Sequence, residues 1–403
     1  MTSTIKVDTI SENTSANGVA VDGVTLKDGA VGAAGTATSV AGIPFYQGDT
    51  GSIYTHDVSG TDSTAQYNTA YGLTAMDAIT TGDDNVAIGF NAGGTMTTGL
   101  ENVIIGSDAV GTGVMTAGQG VFIGNDAGLN KTSGSSCIFI GYQAGEQVTT
   151  GGSNIFIGRN AGDDHDTENN NLGIGQDALG GAIAGAEYNV AVGNFSLDAL
   201  TSGDGNVAVG YQAGTALTTG NVTAIGHRAG DGLTTGGGGV HIGYDAGRVY
   251  DTENHNIGIG NYSLGAVIAG AEYNVAIGSF ALDALTSGDN NTAVGYNAGS
   301  AVTTGFSNVI IGQEAGLSLT TGSNNVAIGR EALRNEDGHG RNVAIGLQTL
   351  FTQNAGAEAY NVAVGFQAGT SITTGINNVM MGGLALDALT TADGITAVGY
   401  AAG

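Results

Sequence analysis

The 403-residue chain is poor in several residue types. It has one proline and no tryptophan, whereas glycine contributes 74 residues. Collagen needs abundant proline as well as glycine at every third position, so a collagen-like fold is excluded. Charged residues make up only 11% of the chain and hydrophobic residues 41%, which excludes a disordered protein. The remaining mixture of Gly, Ala, Val, Ile, Asn and Thr is typical of short strands joined by tight turns.

Basic residues are also scarce, with nine Lys and Arg against 36 Asp and Glu and a net charge of −27. Nucleic acids and anionic membranes attract basic patches, so we expect neither as a partner. No run of 18 apolar residues is present, so no membrane insertion is expected. The single cysteine, Cys137, excludes an intrachain disulfide and a zinc site built from cysteines.

A repeat of about 17 residues fills the chain from residue 68 to residue 403. Its consensus is N-V-A-I-G-x-x-A-G-x-x-φ-T-T-G-x-x, where φ is apolar. Seventeen residues are too few for a strand, a helix and their loops, but they fit one coil of a β-solenoid. Twenty copies begin, at spacings of 16 to 19 residues, at Asn68, Asn85, Asn102, Gly120, Cys137, Asn154, Asn171, Asn189, Asn206, Val222, Gly239, Asn256, Asn274, Asn291, Asn308, Asn325, Asn342, Asn361, Asn378 and Ile395.

We therefore predict an all-β fold, a parallel β-solenoid or β-roll of about 20 coils. Each coil is expected to contain two short strands, N-V-A-I-G and φ-T-T, and two turns. Coils stacked at about 4.8 Å give a rod of roughly 95 Å. The repeated Asn is predicted to cap turns through side-chain-to-backbone hydrogen bonds and to bond with the Asn of the next coil.

The residue between Val and Ile, here called the strand-centre residue, is small or apolar in almost every coil. Successive side chains of a strand point to opposite faces, so the strand is apolar on both faces and both are expected to be buried. One face can fill the interior of the coil, and the other is expected to pack on a partner chain. The predicted oligomer interface is Ala87, Ile104, Phe122, Phe139, Phe156, Ala191, Ala208, Ala276, Ile310, Ala327 and Ala344.

Residues 1–67 lack the repeat and are predicted to form a separate N-terminal attachment segment and linker, with the solenoid shaft at 68–403. "STIKVDTI" places Ile5 and Val7 on one face of a short strand. "NGVAVDGVTLKDG" predicts strand, turn and strand, with Val19 and Val21 opposite Val24 and Leu26. The first fifteen residues contain no apolar h-region, so no signal peptide is expected.

Two stretches resemble known families. The motif "NVAIGxxAG", as in "NVAIGFNAG" at 85–93, resembles the head repeats of trimeric autotransporter adhesins. That resemblance implies a left-handed β-roll and a homotrimer. "STIKVDTISENTSANGVAVDGVTLKDG" at 3–29 resembles the N-termini of marine bacteriophage virion proteins, chiefly tail-fibre-like proteins of cyanophages. It implies that residues 1–67, through the apolar residues named above, dock to other virion proteins after assembly in the host cytoplasm.

The function expected from these features is a structural virion fibre, a trimeric rod anchored by its N-terminus and projecting toward the host. The alternative is an adhesin-type module that contacts host surface polysaccharide along its shaft, where aromatics such as Tyr211 and Tyr244 form a broken ladder. The chain stops inside a coil at "GITAVGYAAG", so a separate tip protein or a longer natural chain is expected to cover that end.

Acidic loops recur five coils apart, at 163–171, 249–256 and 334–342, and each is followed one coil later by a lengthened loop. Clustered carboxylates suit Ca²⁺, although neither the EF-hand spacing nor the nonapeptide calcium motif is present, and solvated acidic turns are the simpler interpretation. The weak Ca²⁺ candidates are Asp163, Asp164, Asp166, Glu168, Asp251 and Glu253, and a third cluster contains Glu336, Asp337 and His339. No catalytic set stands out, so no enzyme activity and no cofactor are expected.

Overall fold

The computed structural model describes residues 52–55, 64–248, 252–267 and 269–403, and the backbone of four strands before them. The strands of the N-terminal part are β1 Val19–Val21, β2 Val24–Leu26, β3 Thr38–Val40, β4 Ile43–Gln47 and β5 Ile53–Tyr54. Those of the repeats are β6 Thr69–Tyr71, β7 Val86–Ile88, β8 Val103–Ile105, β9 Val121–Ile123, β10 Ile138–Ile140, β11 Ile155–Ile157, β12 Leu172–Ile174, β13 Val190–Val192, β14 Val207–Val209, β15 Thr223–Ile225, β16 Val240–Ile242, β17 Ile257–Ile259, β18 Val275–Ile277, β19 Thr292–Val294, β20 Val309–Ile311, β21 Val326–Ile328, β22 Val343–Ile345, β23 Val362–Val364, β24 Val379–Met381 and β25 Thr396–Val398.

The repeats form one parallel ladder, which confirms the predicted β-solenoid. From β5 to β25 each strand pairs in parallel with the strand of the next coil, and equivalent residues stand opposite one another, as Ala191 stands opposite Ala208. The strand ends at a glycine because coils approach closely there. A Cβ on Gly193 would lie 2.3 Å from the carbonyl oxygen of Gly210 in the next coil.

Within the described residues each coil contains one strand, so the prediction of a second strand at the Thr-Thr run was wrong. The backbone N–H groups of Thr201 and Ser202 both donate to the carbonyl of Thr218, at 2.8 and 3.1 Å. Successive N–H groups of an extended strand point in opposite directions, so two bonds to one acceptor mark a bend. The Thr201 hydroxyl donates to the same carbonyl at 2.8 Å, and the run therefore joins coils through one carbonyl per coil.

The strand-centre residues lie inside the coil of a single chain, which corrects their assignment to an oligomer interface. The flanking Val and Ile side chains point outward and are half-buried or exposed. The coil is narrow, so its interior accepts only the central side chain of each three-residue strand, and the first and third side chains point outward. The residues moved from interface to core are Ala87, Ile104, Phe122, Phe139, Phe156, Ala191, Ala208, Ala276, Ile310, Ala327 and Ala344, all 0–1% exposed.

In two neighbouring coils, the size of the strand-centre side chain is complementary to that of a turn residue six positions later. The coil with Phe156 has Gly162 at that turn, where a Cβ would lie 2.6 Å from the phenyl ring. The next coil has Gly173 at the strand centre and Leu179 at the turn, and Leu179 is fully buried. Both turn residues have a left-handed backbone, with φ of 58° and 54°. In these two coils a large residue at one position therefore accompanies a small one at the other.

The repeated Asn side chains form the predicted ladder and are fully buried. The Oδ1 of Asn85 accepts the backbone N–H and the side-chain N–H of Asn102, both at 3.0 Å. The Nδ2 of Asn85 donates to the carbonyl of Gly99 at 2.8 Å. Because most of these Asn side chains both donate and accept, the ladder satisfies buried backbone groups that the short strand leaves unpaired, although Asn342 Nδ2 has no hydrogen-bond partner.

The N-terminal strands include the predicted hairpin. β1 and β2 pair antiparallel, with Val19 opposite Leu26 and Val21 opposite Val24. β4 then pairs antiparallel with β5, which begins the parallel ladder. Ile5 and Val7 lie outside the described residues. Among the described residues, no helix has the length and apolarity that crossing a bilayer requires.

Candidate functional site

The outer face of the strands carries an aliphatic stripe along the ladder. The side chains of Ile88, Ile225, Ile277 and Ile311 are each more than a third exposed in the single chain. They stand one above another because strand register is constant from coil to coil. On the strands, the exposed apolar side chains are therefore those of this stripe and not those of the strand-centre row.

A continuous aromatic ladder also lies on the surface, on seven consecutive coils. Adjacent ring centroids are 5.0 to 6.2 Å apart, which is the range of favourable aromatic pairs. His227 stacks between Tyr211 and Tyr244, with interplanar angles of 22° and 5°. The seven rings are Phe195, Tyr211, His227, Tyr244, Tyr262, Phe280 and Tyr296.

Four of these rings escaped the sequence analysis. Phe195, Tyr262 and Phe280 come one residue later in their coils than Tyr211 does. His227 carries an imidazole, whereas the sequence pattern was traced through Phe and Tyr. The turns stay in register from coil to coil, and rings from either of the two adjacent positions contact each other, as those of Phe195 and Tyr211 do at 6.0 Å. A sugar needs a free ring face for stacking, and neighbouring rings already cover both faces of His227.

A charged cluster borders this aromatic ladder. The carboxylate of Asp245, only 2% exposed, lies 3.8 Å from Arg228 Nε and 3.7 Å from Arg248. Arg228 Nε also pairs with Asp231 at 3.0 Å. These acids neutralise the two arginines, so the ladder is bordered by ion pairs and not by a basic patch.

Two of the weak Ca²⁺ candidates hold backbone groups instead. Glu168 accepts the N–H groups of Asp166 and Thr167 on one oxygen, at 2.9 and 3.0 Å, and that of Gly185 on the other, at 2.9 Å. Glu253 accepts the N–H of Gly270 at 2.8 Å in the same way. Gly185 and Gly270 lie in the lengthened loops one coil later, which explains why acidic segment and long loop recur together.

The other candidates do not assemble. Burial, and then the neighbouring charge of Asp164, raises the pKa of Asp163 to about 7. The Oδ1 of Asp166 accepts a hydrogen bond from the hydroxyl of Thr149 in the preceding coil. Asp251 lies outside the described residues. Within the described part of the chain, a grouping of three metal-ligand atoms occurs at residues 336–339 and not at 163–168.

That grouping consists of Glu336, Asp337 and His339. One ligand atom of each lies within 4.8 Å of the other two. Glu336 is fully buried at a position that most coils fill with Leu, Val or Ile, His339 is half-buried, and Asp337 is exposed. Burial raises the pKa of Glu336, opposed by the N–H groups of His339 and Ala355 and by the His339 ring.

Two histidines are buried in the core. His165 packs against the ring of Phe156 at a centroid distance of 4.7 Å, and His241 occupies a strand centre. Burial lowers the pKa of both to about 4, so both are neutral at pH 7. They take the place of apolar side chains in the core.

A shallow polar groove crosses three coils near Asn130. Its side chains bond to one another: Thr112 to Asn130 at 2.7 Å, and Asn130 to Gln147 at 2.9 Å. The groove therefore continues the coil-to-coil ladders on the surface. No protein-family model matches the chain, and no curated protein matches it.

Proposed function

We propose that the protein is a structural fibre, a rod whose role is to hold its ends apart. The observation that carries the proposal is the single parallel ladder from β5 to β25, in which each coil bonds to the next in constant register. In such a ladder every coil depends on its neighbours for burial and hydrogen bonding. Each added coil lengthens the rod by about 4.8 Å, so the number of repeats sets its length.

The setting we propose is a virion. The resemblance of residues 3–29 to phage virion proteins supports it, as does the β1–β2 hairpin, a compact element outside the ladder. Residues 1–67 would dock to other virion proteins and the shaft would project. In particles that carry the chain, antibodies against residues 309–403 should bind the free end, while those against residues 1–67 should be excluded.

The oligomeric state we propose is a trimer, packed through the outer aliphatic stripe. The resemblance of the repeat to trimeric adhesin heads supports it, and so does the exposure of Ile88, Ile225 and Ile277 in the single chain. Light scattering of the purified full chain should give three times the chain mass of 39.6 kDa. A monomer that forms a rod in negative-stain microscopy would contradict the proposed trimer but not the proposed fibre function.

A second candidate is an adhesin shaft that binds host polysaccharide, and the exposed aromatic ladder favours it. Two five-coil deletions separate the two functions. Removing residues 172–256 deletes four ladder rings, whereas removing 86–171 deletes none. Both should shorten the rod by about 24 Å.

The fibre proposal expects neither deletion to alter binding on an array of bacterial surface polysaccharides. An adhesin shaft would lose binding with the 172–256 deletion and keep it with the 86–171 deletion. Failure of both proteins to form rods of the expected length would overturn the fibre proposal itself.

A further inference from the structure

We propose that Glu336, Asp337 and His339 bind one divalent first-row transition-metal ion, with Zn²⁺ as the probe of choice. The proposal is independent of the fibre function. It begins with Glu336, whose side chain is 0% exposed in a row that other coils fill with aliphatic residues such as Leu319. Burying a carboxylate is costly unless a cation or hydrogen bonds compensate its charge.

The compensation within the protein is incomplete. Glu336 Oε1 accepts the backbone N–H of His339 at 3.2 Å, and the backbone N–H of Ala355 also stabilises the carboxylate, but Oε2 is buried without a hydrogen bond of normal geometry. His339 Nδ1 is also a buried atom with no hydrogen-bond partner. An unpartnered acceptor and an unpartnered imidazole nitrogen thus stand beside each other, and both are metal ligands in their deprotonated forms.

The spacing suits a shared metal better than a direct bond. Glu336 Oε1 and His339 Nδ1 are 3.5 Å apart, whereas charge-assisted hydrogen bonds are about 2.7–2.9 Å long. Two ligands of a tetrahedral ion with bonds of about 2.1 Å are separated by about 3.4 Å. Asp337 is exposed and its carboxylate can turn toward the same point, where water would complete the coordination.

Nearby cations do not supply the missing charge. Arg334 pairs with Glu314 at 3.1 Å, and Arg341 pairs with Glu358 at 3.4 Å. The cluster backbone is meanwhile fixed on two sides, because the carbonyl of Asp337 accepts the Thr320 hydroxyl of the preceding coil at 2.8 Å and that of His339 accepts Asn325 Nδ2 of its own coil at 3.3 Å. The ligand turn is therefore held in place before a metal arrives.

The donor set selects the class of metal. One imidazole nitrogen and two carboxylates suit Zn²⁺, Mn²⁺ or Co²⁺, whereas Ca²⁺ takes six to eight oxygen ligands. The acidic loop at 163–171 differs because its Glu168 carboxylate is already occupied by three backbone N–H groups. That loop provides a natural comparison on the same chain.

The test uses the full chain, purified without a histidine tag, stripped with chelator and titrated with Zn²⁺ by calorimetry, with bound metal counted by elemental analysis. We expect one ion per chain. Losing even an outer-shell partner costs about 10–100-fold in metal affinity, so His339→Ala and Asp337→Asn should each raise the Kd more than tenfold. The control His227→Ala/His255→Ala removes two exposed imidazoles elsewhere and should bind as the wild type does.

Two further readouts separate ligation from folding. Co²⁺ should give d–d absorption bands that His339→Ala loses. Zn²⁺ should raise the thermal midpoint of the wild type and of the control, but not that of Glu336→Gln. If Glu336→Gln fails to fold, the exposed Asp337→Asn serves instead. Absence of stoichiometric binding by the wild type, or binding that survives His339→Ala unchanged, overturns the proposal.

Discussion

The ammonium group of Lys131 donates a hydrogen bond to the carbonyl of Gly151, inside the core. In most other coils the side chain of the repeated Asn donates to this carbonyl, as Asn85 Nδ2 does to Gly99 at 2.8 Å. This coil has Cys137 in place of Asn, and its sulfur lies 3.4 Å from the same carbonyl oxygen. Lys131 thus supplies the donor that the substitution removed, although burial lowers the pKa of its ammonium group.

This replacement predicts a compensation between two positions. Lys131→Met should lower the free energy of unfolding by about 1.5–3 kcal/mol, because the buried carbonyl of Gly151 loses a charged donor. Cys137→Asn should restore an amide donor and offer its Oδ1 to the N–H of Asn154, as Asn154 does to Asn171 at 2.9 Å. The double variant should therefore be at least as stable as the wild type.

Urea unfolding followed by circular dichroism measures the four proteins of this cycle. Additive effects of the two substitutions would contradict the shared role. The exposed Thr116, which lies near this coil, gives a control in Thr116→Ser that should unfold at the wild-type midpoint.

The packing of Phe156 against the turn at Gly162 predicts a second pair of compensating substitutions. Phe156→Ala should lower the free energy of unfolding by about 3–5 kcal/mol because it leaves a cavity in a narrow coil. Gly162→Leu alone should also destabilise, since a Cβ there lies 2.6 Å from the Phe156 ring. Together they reproduce the pairing of Ala191 with Leu197 found elsewhere in the ladder, so the double variant should unfold at a higher urea concentration than either single variant. A double variant weaker than both would refute within-coil compensation.

These pairs show what the repeat could and could not reveal in advance. The 17-residue period determines the coil count, the parallel register and the Asn ladder. Period-two alternation distinguishes the two faces of a strand but not which one points inward. The bulkier Val and Ile suggested a core face, yet a three-residue strand in a narrow coil admits only its central side chain. The inverse sizes of Phe156 and Gly162, beside Gly173 and Leu179, were the available signal.

The candidate sites were less predictable because they depend on loops meeting between coils. Glu168 and Gly185 are 17 residues apart, and only the stacked structure shows that one accepts the N–H of the other. The aromatic ladder likewise combines two adjacent sequence positions into one row. A count of carboxylates in a loop therefore could not separate the fully hydrogen-bonded Glu168 from Glu336, whose buried Oε2 has no hydrogen-bond partner.

Buried histidines predict acid sensitivity. The pKa of His241 is about 4 in the folded chain against an ordinary 6.5, so the unfolded chain binds protons that the folded chain cannot. This contribution is complete above pH 6.5 and is lost as the pH falls toward 4, by up to about 3 kcal/mol. Phe fits a strand centre followed by glycine at the turn, as Phe156 shows.

His241→Phe should therefore retain more of its thermal midpoint between pH 6.5 and 4 than the wild type does. The exposed His227 provides the matched control, because His227→Phe keeps an aromatic ring in the surface ladder. If the thermal midpoints of His241→Phe and the wild type fall equally between pH 6.5 and 4, protonation of His241 does not destabilise the fold.

The raised pKa of Asp163 predicts that stability changes with pH in the opposite direction. Its folded pKa of about 7 lies above the ordinary value of 3.8, so the folded chain holds this proton more tightly than the unfolded chain. The protonated form favours folding, and stability is lost as the pH rises from about 4 through 7. Asp163→Asn removes a half-buried charge and should raise the thermal midpoint at pH 8 while changing it little at pH 4. Asp84→Asn removes an exposed charge from the same net total and should raise the midpoint less at pH 8. An equal gain from both substitutions would assign the effect to the net charge of −27 and not to the environment of Asp163.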